Sequence, residues 1–402
     1  MNDREIRVMQ IGIGGFGGFL ATALLYPPQE VCVKFVAAVD PAPRKVDTLV
    51  AELGRRSIPI LSNLESALDT IAPDLVVIAS PIHLHAAQSI ACLRRGIPVL
   101  CEKPAAATVA DAQAMANAAQ AGNTWCGIGF QWSYSPPIEA FKQDMLSGRW
   151  GRPVSWRSLA NWPRPESYFT RTNWAGKIHG NTGEAIFDSP VANATAHFLH
   201  NALYCLGDSR STSCMPQRMQ VETYCANNIE SYDTAVLRLQ CKDEVEVIHA
   251  CSHAVDQHLG PILRYECSDA IIQYAATDPS ADPSLQVYRQ GKLVHAYGDP
   301  EAHTLDKLWQ AIAACRNGDG QASIACPIEA AIPALAVANA THQSRDIQTI
   351  STAYCRVGEW NGSALCFVPE MGQCMEQCFS DGLLPSELSA FPWACASPVQ
   401  VL

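Results

Sequence analysis
The chain has 402 residues, enough for two or three domains, and 48% apolar against 17% charged residues allow sizeable hydrophobic cores. A formal net charge of −11 excludes an extended phosphate-backbone partner, which needs clustered Lys and Arg, so no nucleic acid is expected. No uninterrupted apolar run reaches the roughly 18 residues of a membrane span, and most of the 17 cysteines sit singly in apolar runs without a C-x-x-C, so a reduced cytoplasmic protein without membrane or metal is expected.

Asp3-Arg4-Glu5-Ile6-Arg7 opens the chain with mixed charge, and the apolar stretch that follows is broken by glycines. It reads as a strand and its turn, not as a leader. Short apolar strands are predicted at Val8–Gly12, Val31–Val39, Leu75–Ala79, Val99–Cys101 and Trp125–Gly129. Helix punctuation lies between them. Ser62-Asn63-Leu64-Glu65 has the form of a capping box, Gly96 follows Arg94-Arg95 as a stop, and Thr108 with Asp111 opens a helix ending near Gly122. Strands alternating with helices predict a parallel sheet covered on both faces, hence an α/β Rossmann-type domain over residues 1–132.

After Pro136-Pro137 the pattern changes. Short strands at Arg152–Asn161, Met219–Tyr224, Thr234–Gln240, Glu244–Cys251 and Ala270–Tyr274 follow one another, which predicts an α+β domain over 133–402 with an open, mainly antiparallel sheet. Helical patterns return at Asp306–Arg316 and Ile328–His342. The last 50 or so residues are Cys-rich and show no clear pattern.

The first strand leads directly into Gly12-Ile13-Gly14-Gly15-Phe16-Gly17, a G-x-G-x-x-G between a strand and a helix-compatible stretch. In that context Gly12 serves a tight turn, Gly14 leaves room for a pyrophosphate, and Gly17 allows close helix–strand packing. Gly15 and Phe16 complete the turn, whose helix N-terminus favours phosphate. The second strand ends at Asp40, 23 residues after Gly17, where a carboxylate accepts from a ribose diol. NAD is therefore favoured. Arg44 and Lys45 follow closely and keep NADP open.

Two further motifs, Ala79-Ser80-Pro81-Ile82-His83-Leu84-His85 and Cys101-Glu102-Lys103-Pro104, together with the glycine turn resemble the glucose–fructose oxidoreductase / inositol dehydrogenase / MocA (Gfo/Idh/MocA) family. The resemblance extends through Gly129-Phe130-Gln131, Trp174 and Gly207 to about residue 345 and leaves the tail unaccounted for. It implies a cofactor cleft lined by Ser80, Pro81, His85, Glu102 and Lys103, with Lys103 facing substrate and nicotinamide. A cation just beyond a parallel strand is also well placed to stabilise a developing alkoxide. The family's Asp-x-x-x-His before a Leu-Gly maps onto Asn193 and His197, which makes His197 the acid/base and Asn193 a substrate contact. Here the chain departs from the family: Asn193 replaces the Asp, and His200 stands where an Asp is usual. Asp188 is a possible replacement for the missing charge.

The stretch Trp162–Lys177 is rich in aromatic and hydrogen-bonding residues, which suits a polyhydroxylated ring, and Trp174 and Lys177 are the candidate substrate contacts. The expected activity is NAD(P)-dependent hydride transfer to or from a secondary hydroxyl of a sugar, polyol or glycoside. Two alternatives stay open: a cofactor-recycling glycosidase or epimerase working through a transient ketone, and a non-catalytic dinucleotide-binding regulator. A homodimer or homotetramer, formed through the open face of the second sheet, is expected.

Overall fold
In the computed structural model, which describes residues 4–43, 47–276, 283–318, 320–343 and 347–402, the chain forms two compact units. The first comprises Met1–Ser135 and His303–Ile332, the second Pro136–Ala302 and Pro333–Leu402. Among the described residues no helix is long and apolar enough to cross a membrane.

In the first unit β1 (Ile6–Ile11), β2 (Val33–Val39), β3 (Ile60–Leu61), β4 (Leu75–Ile78), β5 (Val99–Cys101) and β6 (Cys126–Ile128) form a parallel sheet in the order β3-β2-β1-β4-β5-β6. All four residues of β4 are buried, as a parallel strand covered on both faces requires. At two residues, β3 is too short to leave a hydrophobic pattern. The intervening helices are α1 (Phe16–Leu25), α2 (Asp47–Arg55), α3 (Leu64–Ile71), α4 (His85–Leu93) and α5 (Val109–Ala121). Thr108 caps α5, its hydroxyl accepting from Asp111 N at 3.1 Å. At α3 the cap lies one residue later than the sequence suggests: Asn63, not Ser62, accepts from Ser66 N at 3.0 Å. Strand order reverses between β1 and β4, so the turns after these two strands flank the crevice where doubly wound sheets bind ligands.

In the second unit α6 (Pro136–Leu146), β7 (Pro153–Asn161), α7 (Glu166–Thr170) and α8 (Ala196–Cys205) precede a run of strands. These are β8 (Arg218–Cys225), β9 (Thr234–Gln240), β10 (Glu246–Ser252), β11 (Leu259–Cys267), β12 (Ile271–Ala275), β13 (Gln286–Arg289) and β14 (Lys292–Ala296). Sequence reasoning misses β11 because Gly260-Pro261 near its start reads as a turn. The strand accommodates the pair by shifting register against β7 between Leu259 and Ile262.

Next comes α9 (Asp306–Asn317), which returns to the first unit. This corrects the single cut after residue 132: the division falls after Ser135, and His303–Ile332 rejoins the earlier segment. The reason is partly one side chain, Lys307, whose ammonium is bound to groups of the first unit. The chain then runs through α10 (Ile328–Gln343), β15 (Gln348–Thr349), the hairpin β16 (Arg356–Trp360) and β17 (Ser363–Phe367), α11 (Met371–Asp381) and β18 (Val399–Val401).

The large sheet runs β14-β13-β12-β11-β7-β10-β9-β8-β15, with β18 also alongside β8. It is mainly antiparallel; β10 on β7 and β15 on β8 are parallel. Alternation sends Trp156, Ser158 and His249 to one face, where His249 Nδ1 lies 2.8 Å from Ser158 Oγ and Nε2 lies 3.1 Å from Thr195 Oγ1 at the head of α8. Leu159, Val236, Ile248 and Ala250 point to the other face, which the sequence leaves open for a second copy. The part of that face formed by β7, β8, β9 and β10 is covered from within the chain. Met371, Cys374, Met375 and Cys378 of α11 pack on it, with Trp393 beside them. Arg238 is bonded to Glu387, and buried Glu222 accepts from Ser386 N at 3.0 Å. The Cys-rich tail is therefore a cover for the sheet, its thiols acting as small apolar side chains on one helical stripe.

Candidate active site
The turn after β1 is shaped by what a Cβ would meet. At Gly12 it would lie 2.6 Å from Ala79 O and at Gly17 2.4 Å from Gly12 O, so both positions admit only hydrogen. At Gly14 it would meet nothing within 4 Å: the space is open, as a pyrophosphate site requires. Gly15, at φ +52°, precedes α1 with no side-chain cap, and Phe16 begins a first turn without an acidic residue. The positive end of the helix is thus left for an anion. Sequence reasoning missed Gln10, a fully buried side chain whose amide donates to Gly12 O at 2.8 Å and Gly17 O at 2.6 Å. A buried polar residue inside an otherwise apolar strand was the available signal.

Asp40, just past β2, reaches the same turn. Its Oδ2 accepts from Ile13 N at 3.1 Å and its Oδ1 from Ala42 N at 2.9 Å. Arg44 and Lys45 lie outside the described residues. These features fit a dinucleotide whose ribose approaches Asp40.

Beyond β4, Ser80 Oγ donates to Gln88 Oε1 at 2.6 Å, and Pro81 leads into a short turn at Ile82–Leu84. His85 is buried, with Nδ1 2.8 Å from Pro104 O and Nε2 2.8 Å from Ser80 O. Burial holds its pKa below the ordinary histidine range despite the two carbonyls. Both ring nitrogens thus face backbone carbonyls, and one N–H of the neutral ring ties the Ser80 turn or Pro104 in place, with His85 enclosed between them. Glu102 is also engaged from within the unit. It receives the ammonium of Lys307, which donates as well to Gly129 O at 3.1 Å. Lys103 follows, half-buried, and its N–H lies 3.4 Å from Glu102 Oε2. Neither motif nor spacing announced Lys307.

In the second unit Asp188 is the centre of the candidate substrate region. Its buried carboxylate accepts from Asn193 Nδ2 at 2.8 Å through Oδ1 and from Gly176 N at 2.7 Å through Oδ2. Its own N–H donates to Lys177 O at 3.0 Å. One residue thus joins the Trp174–Lys177 loop to the π-type turn Pro190–Ala194 that leads into α8 and half-buried His197. Lys177 Nζ lies 3.4 Å from Glu230 Oε1. The guanidinium of Arg171 stands over Tyr168 at 3.5 Å and Trp174 at 5.3 Å, which holds the aromatic stretch in order. His200 is structural. It is buried and stacked on Tyr204, and burial, with Lys142 nearby, pulls its pKa down to about 3.

Residues 6–130 match the oxidoreductase family with an NAD-binding Rossmann fold. This segment thus matches the NAD-binding domain of the Gfo/Idh/MocA family, and NAD is the cofactor class of that match. Inositol 2-dehydrogenase from Streptomyces avermitilis is 34% identical over 122 residues, covering 30% of this chain and 35% of that protein. The enzyme of the same name from Rubrobacter xylanophilus is 32% identical over 160 residues, 39% of this chain and 44% of its own length. The chain thus spans less than half of each of these curated relatives. The WlbA dehydrogenase of Bordetella pertussis, solved with NADH and UDP-GlcNAcA, shares the fold over 85% of this chain and 96% of its own, with a TM-score of 0.68 at 20% identity.

Proposed function
We propose that the chain is an NAD-dependent oxidoreductase moving a hydride to or from a secondary hydroxyl of a sugar or polyol. The observation that carries this reading is the first-unit crevice. There an open position at Gly14, an uncapped helix end and Asp40 suit a dinucleotide, and Lys103 follows the end of the neighbouring strand β5. NAD, when bound, supplies the hydride acceptor. Lys103 stabilises negative charge as it develops on the substrate oxygen. His197 accepts the hydroxyl proton, a task for which an imidazole is suited near neutral pH. Asp188 holds the amide of Asn193 and the Trp174–Lys177 loop in place. Because Asp188 adjoins Asn193, the change from the family's Asp moves the carboxylate rather than removing it, which supports plain dehydrogenation over the cofactor-recycling alternative.

A sugar and polyol screen followed at 340 nm tests this. Net NADH formation is expected with at least one polyol. Product without NADH would indicate recycling, and tight NAD binding without turnover would indicate a regulator. With a substrate in hand, Lys103→Ala and His197→Ala are each expected to lower kcat and kcat/KM together by about 10²-fold, with NAD affinity unchanged.

A further inference from the structure
Lys307 has no place in the sequence motifs, yet its side chain is among the most deeply buried charges of the first unit. The residue is 0% exposed, in the first turn of α9. Its ammonium donates to the Glu102 carboxylate and to Gly129 O, and it lies 4.7 Å from the centre of the Phe16 ring. Three segments therefore converge on one cation: the turn after β5, the end of β6 and the first residue of α1. The Glu102 carboxylate fills the space beside Gly129 that a side chain would need, since a Cβ there would lie 2.9 Å from its Oε1. Each segment borders a group assigned above to cofactor or substrate. Glu102 is bonded through the chain to Lys103, and Phe16 opens the helix at the glycine turn. Phe16 is 43% exposed, so its ring lies at the surface rather than in the core.

Burying an ammonium and a carboxylate is costly, and a well-packed apolar pair of similar volume is often as stable or more so. Stability alone therefore gives a weak reason for the pair. We propose that Lys307 is a positioning residue for the cofactor end of the site, setting the direction of Lys103 through Glu102 and the pose of Phe16 over the glycine turn. This rests on the reading of Lys103 as the group at the reacting centre.

The experiment separates holding the fold from aiming the site. Lys307→Met leaves a buried carboxylate unpaired and is expected to lower Tm. The double variant Glu102→Gln/Lys307→Met removes both charges and is expected to recover most of that Tm. It should still bind NADH more weakly by fluorescence titration, by about tenfold, and lose about 10- to 100-fold in kcat with KM for the sugar little changed. Lys307→Arg keeps the cation but changes its reach. It should hold Tm within a few degrees while weakening NADH binding several-fold. Parental NADH affinity in both the double variant and Lys307→Arg would overturn the proposal and leave the pair a structural one. A Lys103→Ala variant with parental turnover would instead defeat the catalytic reading while leaving the NADH-binding result to stand or fall separately.

Discussion

The turn after β1 and the Asp188 centre, proposed above as the cofactor and substrate regions, are built in opposite ways. In the turn, the constraints are backbone atoms: Gly12 and Gly17 exclude a side chain because carbonyls stand 2.6 and 2.4 Å from where a Cβ would be. Around Asp188, the constraints are side-chain acceptors that join Gly176 and Asn193, twelve residues before and five after. A backbone-built site is contiguous and needs particular residue types, so it leaves a motif. A centre built from one carboxylate can draw its donors from any segment that passes, and leaves none.

The largest effect expected from this difference is at the glycines. Gly17→Val should force α1 from β1, lowering Tm by several degrees and abolishing NAD binding. Gly14→Val meets no neighbour and should keep the parental Tm while losing NAD affinity by at least about 100-fold, because the side chain occupies the pyrophosphate space. Calorimetry with and without NAD reads both. A Gly14→Val protein that binds NAD like the parent would remove the assignment of the turn.

Next comes Asp188→Ala. It leaves the Asn193 amide and Gly176 N–H without their charged acceptor and should cost about 2 to 4 kcal/mol in urea unfolding, as two hydrogen bonds to a buried charge suggest. NAD affinity should not change, since the proposed cofactor groups belong to the first unit. A parallel loss of NAD binding would show that the two regions are not separable in this way.

The smallest effect per residue is with pH. His200, His249 and His253 of the second unit are buried, and burial pulls each down to about 3. Unfolded, a histidine titrates near 6.5. Between these values the unfolded chain binds more protons, so the stability that these neutral rings allow is fully present above about pH 6.5 and is lost progressively as pH falls toward 3. At pH 5 each such histidine lowers stability by about 2 kcal/mol relative to pH 7. His200→Phe keeps the stack on Tyr204 and removes the proton site, so its urea midpoint should fall less between pH 7 and pH 5 than that of the parent. Equal falls would show that His200 titrates normally in the folded protein.

Much of the first unit was legible in the sequence: five of its six strands, the Thr108 cap, the glycine turn and Asp40 all follow from local pattern. Sequence also marked Asn193 and Asp188 as related, without placing the bond between them. The tail was opaque. Its helix α11 shows a buried stripe of Met and Cys only once the sheet face beneath it is known.

Sequence by itself determined the strand–turn–helix at the proposed cofactor crevice, because tight turns and close backbone approach admit few residue types. It determined also the alternation that gives the large sheet two apolar faces. Only the tertiary structure decided that α9 returns to the first unit, that Lys307 meets Glu102 across 205 positions, and that α11 packs on β7, β9 and β10 of the large sheet. These are pairings between distant segments. A lysine on a helix or an apolar stripe states that a partner is needed, and only the folded chain states which.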